Sequence, residues 1–343
     1  LDTFGWTFAP KLYPTCPDRP FITWQFQEDV IRRIDAAIGK NDLLIEKSRD
    51  MGATWMVMAV FLHRCIFFPS QLFLLGSRKE ELVDQSGDPG CLMWKLDYML
   101  GKLPPWMRPP INRTRLHMEF LNNGSVIDGE STNDDFGRGD RRQGIALDEF
   151  ASVENGDHIL SATRDTSDCR IMLSTPKGAA GAFHKQRVKI ANTSPDRLIR
   201  LHWTLHPEKA RGLYHTEDGK PHSPWYDEQC LRAASPVEIA QELDIDYAAS
   251  SWKVMDAKEI ERIVKTHCRP PLAVGEFMHE NGRVPVWFDM EGGRVRLWEN
   301  LIPTADGGFM VPVENKYTAG FDISMGKGGE ESSQSVASVW SLT

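Results

Sequence analysis

The apolar pattern near the start of the chain passes from a helical to a strand period and back. In FQEDVIRRIDAAI, Phe26, Val30, Ile31, Ile34 and Ile38 share one helical face, and Gly39 ends the run. A short apolar strand, LLIE, follows and leads through KSRDMGAT into a second helical segment, TWMVMAVFLHRCIF. Further apolar strands are expected at 71–76 (QLFLLG), 124–130 (GSVIDGE), 144–150 (GIALDEF) and 170–175 (RIMLST). Several are apolar on both faces, which marks a sheet covered by helices on both sides. Residues 21–190 therefore read as one α/β domain built on a doubly wound parallel sheet.

The flanks differ in character. Residues 1–20, rich in proline and aromatics, read as an irregular N-terminal arm. Residues 191–265 hold one more strand (LIRLHWTL), a polar loop at 207–224 and a helix at PVEIAQELDIDY, and read as a lid or linker subdomain. From 266 to 343 the segments are short, β-like and turn-rich, ending in YTAGFDIS and QSVASVWSL, the opening of a second sheet. The chain starts at Leu1 and stops at Thr343 inside a strand pattern, so the natural protein is expected to extend past both ends.

Composition narrows the function classes. A net charge of −8 argues against a protein that coats nucleic acid by bulk electrostatics, but leaves room for a local basic track. The most apolar run, Trp55 to Phe68, is broken by His63 and Arg64 and falls short of a membrane span. The six cysteines are scattered without a CxxC pair, which indicates neither a disulfide framework nor a zinc knuckle. His202 and His206 have ligand spacing, but the strand-like pattern around them puts both on one sheet face with no third ligand nearby.

Strand, tight loop, helix is the order a phosphate-binding unit requires. In the ordinary loop, GxxxxGK[ST], backbone N–H groups wrap the phosphates, the lysine reaches the outer phosphates and the hydroxyl binds Mg²⁺. Here the frame reads Lys47, Ser48, Arg49, Asp50, Met51, Gly52, Ala53, Thr54. Gly52 and Thr54 fit, whereas Lys47 replaces the first glycine and Ala53 the lysine. Lys47 and Arg49 offer the missing charge from the other side of the loop, and the helix N-terminus adds its partial positive charge. The plainer reading of these residues alone is a strand-to-helix turn.

Two further strand ends carry chemistry. In GIALDEF, Asp148 and Glu149 close an apolar strand, where one acid can hold Mg²⁺ and its neighbour can polarise the water that attacks a γ-phosphate. In LSTPKG, Ser174 and Thr175 close another, where small hydroxyls can sense the γ-phosphate. Either pair alone is ordinary turn chemistry; together, in this order, they point to nucleotide hydrolysis.

In their order, TWQFQEDVI, IEKSRDMGATW, FGRGDRRQGIALDEFA, MLSTPKG, EIAQELDIDYAAS and AGFDIS resemble the large terminase subunit of tailed bacteriophages, a family of DNA-packaging ATPases. The resemblance implies a P-loop NTPase fold of the ASCE type, followed by the start of an RNase H-like nuclease. It implies ATP with Mg²⁺ as ligands, and double-stranded DNA, a portal protein and a small terminase subunit as partners. A homo-oligomeric ring in the host cell cytoplasm, docked transiently on the procapsid, is the expected setting. By position, Lys47 matches a loop lysine moved to the start of the loop, as in some members. Gln27 matches an adenine-recognising glutamine, with Gln25 as its rival. Asp148 matches the Mg²⁺-binding acid, Glu149 the catalytic one, and Ser174 and Thr175 the coupling motif. Arg138 resembles an arginine finger inserted into a neighbour's site, with Arg141 and Arg142 as competitors and a turn arginine gripping the acidic ESTNDD stretch as the plainer reading. Asp322 would be the first carboxylate of a nuclease site for Mg²⁺ or Mn²⁺, with Glu330 and Glu331 in the turn beyond it; cleavage is expected only of a longer chain that supplies the remaining acids.

The basic segment HKQRVKIAN reads as a solvated helix face, with contact to DNA phosphates as its alternative. Two other function classes compete with the motor: a nucleotide-binding structural module whose eroded loop no longer hydrolyses ATP, and a helicase-like ATPase.

Overall fold

In chain order the elements are β1 (Trp6–Phe8), β2 (Asp18–Pro20), α1 (Gln25–Ala37), β3 (Leu43–Lys47), α2 (Ala53–Phe67), β4 (Leu72–Ser77), α3 (Glu80–Val83), α4 (Leu92–Lys102), β5 (Ile111–Thr114), β6 (His117–Phe120), β7 (Ser125–Ser131) and β8 (Gly144–Asp148). They continue with α5 (Gly156–Ala162), β9 (Arg170–Ser174), α6 (Gly181–Thr193), β10 (Leu198–Leu201), β11 (Tyr214–His215), β12 (Pro221–His222), α7 (Pro224–Arg232) and α8 (Pro236–Glu242). The structure is a computed structural model that describes residues 3–11, 13–133, 135–139 and 141–249, and beyond them 262, 265–266, 269–278, 286–298, 300, 302–305, 309–310, 317–322 and 336–341. The chain divides into two units, Leu1–Trp252 and Lys253–Thr343.

The first unit is organised by an eight-stranded sheet of order β10-β3-β9-β8-β4-β7-β6-β5. From β10 to β7 every pairing is parallel, so these strands all end at one edge. One strand, β9, stands between β3, which leads into the loop, and β8, which ends in the acid pair. Ligands of open parallel sheets bind outside the carboxyl ends of the strands.

Side chains alternate between two apolar layers, as the strand period requires. Leu43, Ile45, Phe73, Leu75, Ala146, Ile171 and Leu173 enter one core with α1, α2 and α4. Leu44, Leu74, Ile145, Leu147 and Met172 enter the other, with α5 and α6. This double burial is why these strands read as unbroken apolar runs. On α1 the buried stripe is Gln27, Val30, Ile34 and Ala37, while Phe26 and Ile31 are only half-buried at its margin.

Four features depart from the sequence expectations. The N-terminal arm contains an antiparallel strand pair, β1–β2, and packs on α4 through Phe8 against Trp94 and Tyr98. Between α4 and β7, where no strand was expected, β5 and β6 extend the sheet antiparallel. Their mixed patterns, INRT and HMEF, carry little apolar alternation. Strand β10 pairs with β3 and so belongs to the core sheet, although its segment reads as lid. That strand ends at Leu201, so His202 and His206 do not share a sheet face: His202 caps a short 3-10 turn and His206 packs its ring on Trp24.

In the second unit, β13 (Ala273–Met278) lies between β14 (Val286–Asp289) and β15 (Val295–Leu297), all antiparallel. Two further antiparallel pairs follow, β16 (Ile302–Pro303) with β17 (Phe309–Met310), and β18 (Tyr317–Asp322) with β19 (Val336–Ser341). Asp322 is the last residue of β18, opposite Val336. Glu330 and Glu331 lie outside the described residues.

Candidate active site

The turn between β3 and α2 is tightly built. Asp50 (φ 56°) and Gly52 (φ 77°) are both left-handed, and Gly52 precedes the first turn of α2. The left-handed backbone favours glycine there, and a Cβ at Gly52 would crowd Gln27 Nε2 at 3.1 Å. Gln27 is buried, and its Oε1 accepts from the Trp24 N–H at 3.2 Å. Gln25, its rival, is exposed and bonds to Asp29 instead. Of the two glutamines, only Gln27 lies against the loop.

The loop residues divide by direction. Met51 and Ala53 point into the core at 1% and 2% exposure, so position 53 holds a buried methyl where an ordinary loop has its lysine. The buried Ser48 hydroxyl donates to Leu243 O and accepts from the Trp203 N–H, which makes it a structural anchor. Asp50 turns outward to pair with Lys11 at 3.1 Å. Arg49 is half-exposed, with its Nε 3.6 Å from Glu242 Oε2. Among the described residues, nothing accepts from the backbone N–H groups of Asp50 to Thr54, the donors that a helix start and a left-handed turn leave free.

The other strand ends converge on this loop. Lys47, the last residue of β3, places Nζ 3.3 Å from Glu149 Oε1. The Thr54 hydroxyl donates to both Asp148 oxygens at 3.3 Å. Burial, and then the like charge of Glu149, push the Asp148 carboxyl above the usual carboxylate range, against the opposing pull of Lys47 and Lys95. Glu149 itself has φ 52°, a conformation a side chain rarely adopts, and such strain often marks functional positions. At the end of β9 the Ser174 hydroxyl is buried without a hydrogen-bond partner among the described residues, and Thr175 Oγ1 donates to Glu242 Oε1 at 3.5 Å.

The structure thus brings together Lys47, Thr54, Asp148, Glu149, Ser174 and Thr175 at one sheet edge, and leaves Arg138 apart. Arg138 is exposed, with Asp135 at 3.6 Å and His158 at 3.3 Å. Of its competitors, Arg142 is committed to Asp128 at 2.6 Å, and Arg141 is exposed. The basic helix α6 is partly tied down, through Arg187 to the buried Glu46 and Lys185 to Asp157.

Three charged residues of the site escaped the sequence reading. Glu242, at the end of α8, sits between Arg49 and Thr175, and burial raises its carboxyl. Lys95 is buried, gives its three protons to the carbonyls of Pro89, Gly90 and Cys91, and lies within electrostatic reach of Asp148. Lys209 is buried against the loop backbone. Only Glu242 lay in a segment already singled out, EIAQELDIDY; a lysine in the first turn of α4 and one in a polar loop give no sign of burial.

The sequence model of the family described as "Terminase large subunit, T4likevirus-type, N-terminal" matches residues 44–258. The chain belongs to the terminase large-subunit family. Among solved structures, this terminase chain is similar to the large terminase of bacteriophage HK97, at 14% identity and TM-score 0.53, over 72% of this chain and 53% of that one. It is also similar to the large terminase ATPase domain of Thermus phage P74-26, at 19% identity and TM-score 0.43, over 63% of this chain and 93% of that domain. No curated protein matches it. The chain spans about half the length of the HK97 protein. The likeness to HK97 shows the fold, an α/β domain on a largely parallel sheet, in agreement with the doubly wound parallel sheet read from the sequence.

Proposed function

We propose that this terminase chain is the ATPase motor of viral DNA packaging, hydrolysing ATP to drive double-stranded DNA into a procapsid. The observation that supports it most directly is the joining of two motifs in space: Lys47 Nζ stands 3.3 Å from Glu149, and Thr54 3.3 Å from both oxygens of Asp148. The free N–H groups of residues 50–54 would receive the phosphates. Lys47 would bring the cation that Ala53 lacks, with Arg49 beside it. Gln27, held against Gly52, would meet the adenine. Glu149 would orient the water for in-line attack on the γ-phosphorus, and the bond to the leaving ADP oxygen would break as water adds. Ser174, with an unused hydroxyl, and Thr175 would register loss of the γ-phosphate.

Thr54 and Asp148 offer converging oxygen donors and no softer ligand, which fits Mg²⁺. Those two residues would hold the ion with ATP, where it supplies charge neutralisation at the phosphate oxygens. Exposed Arg138 would act in the neighbouring subunit of a homo-oligomeric ring. That ring would dock on the portal protein in the host cytoplasm with the small terminase subunit. In a longer protein Asp322 would open a nuclease site.

The test is ATP turnover by the chain with and without double-stranded DNA, beside Glu149→Ala. Turnover by the unmodified chain, lost in the variant while nucleotide still binds, is the expected result. Normal turnover in the variant would remove Glu149 from its role, and absence of nucleotide binding by the unmodified chain would sink the reading. The eroded-module alternative has Ala53 in its favour, but a cation at Lys47 beside intact Asp148 and Glu149 argues for chemistry.

A further inference from the structure

Lys209 lies in the polar loop between β10 and β11, where a lysine is ordinarily solvated, yet it is only 2% exposed. Its Nζ donates to the backbone carbonyl of Arg49 at 2.5 Å and stands 4.6 Å from the centroid of the Trp225 ring. Burial pushes the ammonium down to about 8, with Asp50 pulling the other way. Burying a cation is costly, so the contact it makes needs a reason.

The neighbouring peptides of the loop are fixed by other bonds. Ser48 N–H donates to Leu201 O at 2.9 Å, and Arg49 N–H to Glu242 O at 2.6 Å. Neither bond sets the peptide plane between Arg49 and Asp50. In a trans peptide the carbonyl and the following N–H point in opposite directions across one plane. A cation gripping Arg49 O on one side therefore aims the Asp50 N–H to the other. It also polarises that peptide and strengthens the N–H as a donor. Asp50, itself left-handed, begins the turn whose successive N–H groups, with Gly52 left-handed two residues on, can form an anion-binding concavity.

We infer that Lys209 is a positioning residue of the phosphate loop: by holding Arg49 O it orients the first N–H of the concavity formed by residues 50–54. The inference rests on the proposed reading of that loop as a nucleotide site. Lys209 touches no phosphate itself and acts through the backbone.

The experiment compares the unmodified chain with Lys209→Met in two measurements. The first is amide hydrogen exchange across residues 48–54 without ligand; the second is affinity for a fluorescent ADP analogue and for inorganic pyrophosphate. Faster exchange confined to the loop is expected, with affinity for both probes weakened about tenfold. Lys209→Gln, which keeps a neutral donor, is expected between the two and serves as the reading variant if Lys209→Met does not fold. A merely structural lysine would lower the melting temperature and leave exchange and affinity at the loop unchanged in the folded protein, and that result overturns the inference. So does faster exchange with unchanged affinity. If the unmodified chain binds neither probe, the nucleotide reading fails, while the exchange comparison still decides whether Lys209 orders the loop.

Discussion

Lys47 Nζ lies 3.3 Å from Glu149 Oε1, and this ion pair ties the loop before α2 to the acid after β8. The cation of this site therefore comes from the end of a strand rather than from the start of a helix. Lys47→Met is expected to lower ATP turnover by roughly 10²–10³, the scale set by removing one charge-stabilising group. Adding Ala53→Lys should not rescue it, because position 53 is 2% exposed and faces the core. An ammonium there costs several kcal/mol and should lower the melting temperature instead. Steady-state turnover and a thermal melt of the single and double variants decide it; a double variant with restored turnover would refute the relocated cation.

The backbone at Glu149 gives a separate handle, because φ 52° penalises any Cβ. Glu149→Ala and Glu149→Gly both remove the carboxylate, and with it the pairing to Lys47. They differ only in strain and chain entropy. If the left-handed conformation is maintained, the glycine variant should be the more stable by ~1 kcal/mol, with both inactive. Urea midpoints measured side by side test this, and an alanine variant at least as stable as the glycine one would mean that the conformation is not strained.

The parallel core was legible because β3, β4, β8 and β9 are buried on both faces and so carry unbroken apolar runs. The loop and the acid pair stood out because charged residues close apolar strands, and the structure sets them side by side. What could not be read depended on three-dimensional neighbours. Gln27 was named through the family resemblance with Gln25 as its rival, and the choice between them needed the structure, in which Gln27 falls on the buried stripe of α1 and Gln25 is exposed. Lys209 is buried against a loop far back along the chain, and Lys95 folds onto the carbonyls of Pro89, Gly90 and Cys91 just before it; in neither case does the local sequence announce the burial. His202 and His206 misled because LIRLHWTL keeps its alternation past Leu201, where the chain leaves the sheet.

His206 sets an expectation for acid stability. Its ring packs at a tilt on Trp24 with centroids 4.1 Å apart, and burial pushes the imidazole down to about 4. The unfolded chain, with an ordinary value near 6.5, binds the proton that the folded chain refuses between those limits. Stability from this group is complete above about pH 6.5 and is lost as pH falls toward about 4, by on the order of 3 kcal/mol. His206→Phe keeps an aromatic ring against Trp24 and removes the titration. Its urea midpoint should fall less steeply between about pH 7 and 4.5 than that of the unmodified chain. Some slope should remain, because His202 is also held at about 4 by burial. Parallel slopes would remove His206 from the acid response.

The arginines ahead of β8 separate by what they hold. Arg142 pairs with Asp128 at 2.6 Å with 12% of its side chain exposed, and Asp128 also takes His117 at 2.6 Å. Arg142→Ala leaves a mostly buried carboxylate short of its partner and should cost ~2–4 kcal/mol of stability, somewhat less than a fully buried pair. Among the described residues Arg138 holds only exposed Asp135 at 3.6 Å and His158, so Arg138→Ala should melt like the unmodified chain. If Arg138 acts on a neighbour's nucleotide, the variant should lose about 10³ in turnover in the assembled ring. Rings mixed from Arg138→Ala and Glu149→Ala subunits should then recover part of the activity. A site with intact Glu149 would receive its arginine from the Glu149→Ala neighbour, completing a site that neither variant can form alone. Mixed rings as inactive as each parent would show that Arg138 does not act across the subunit boundary.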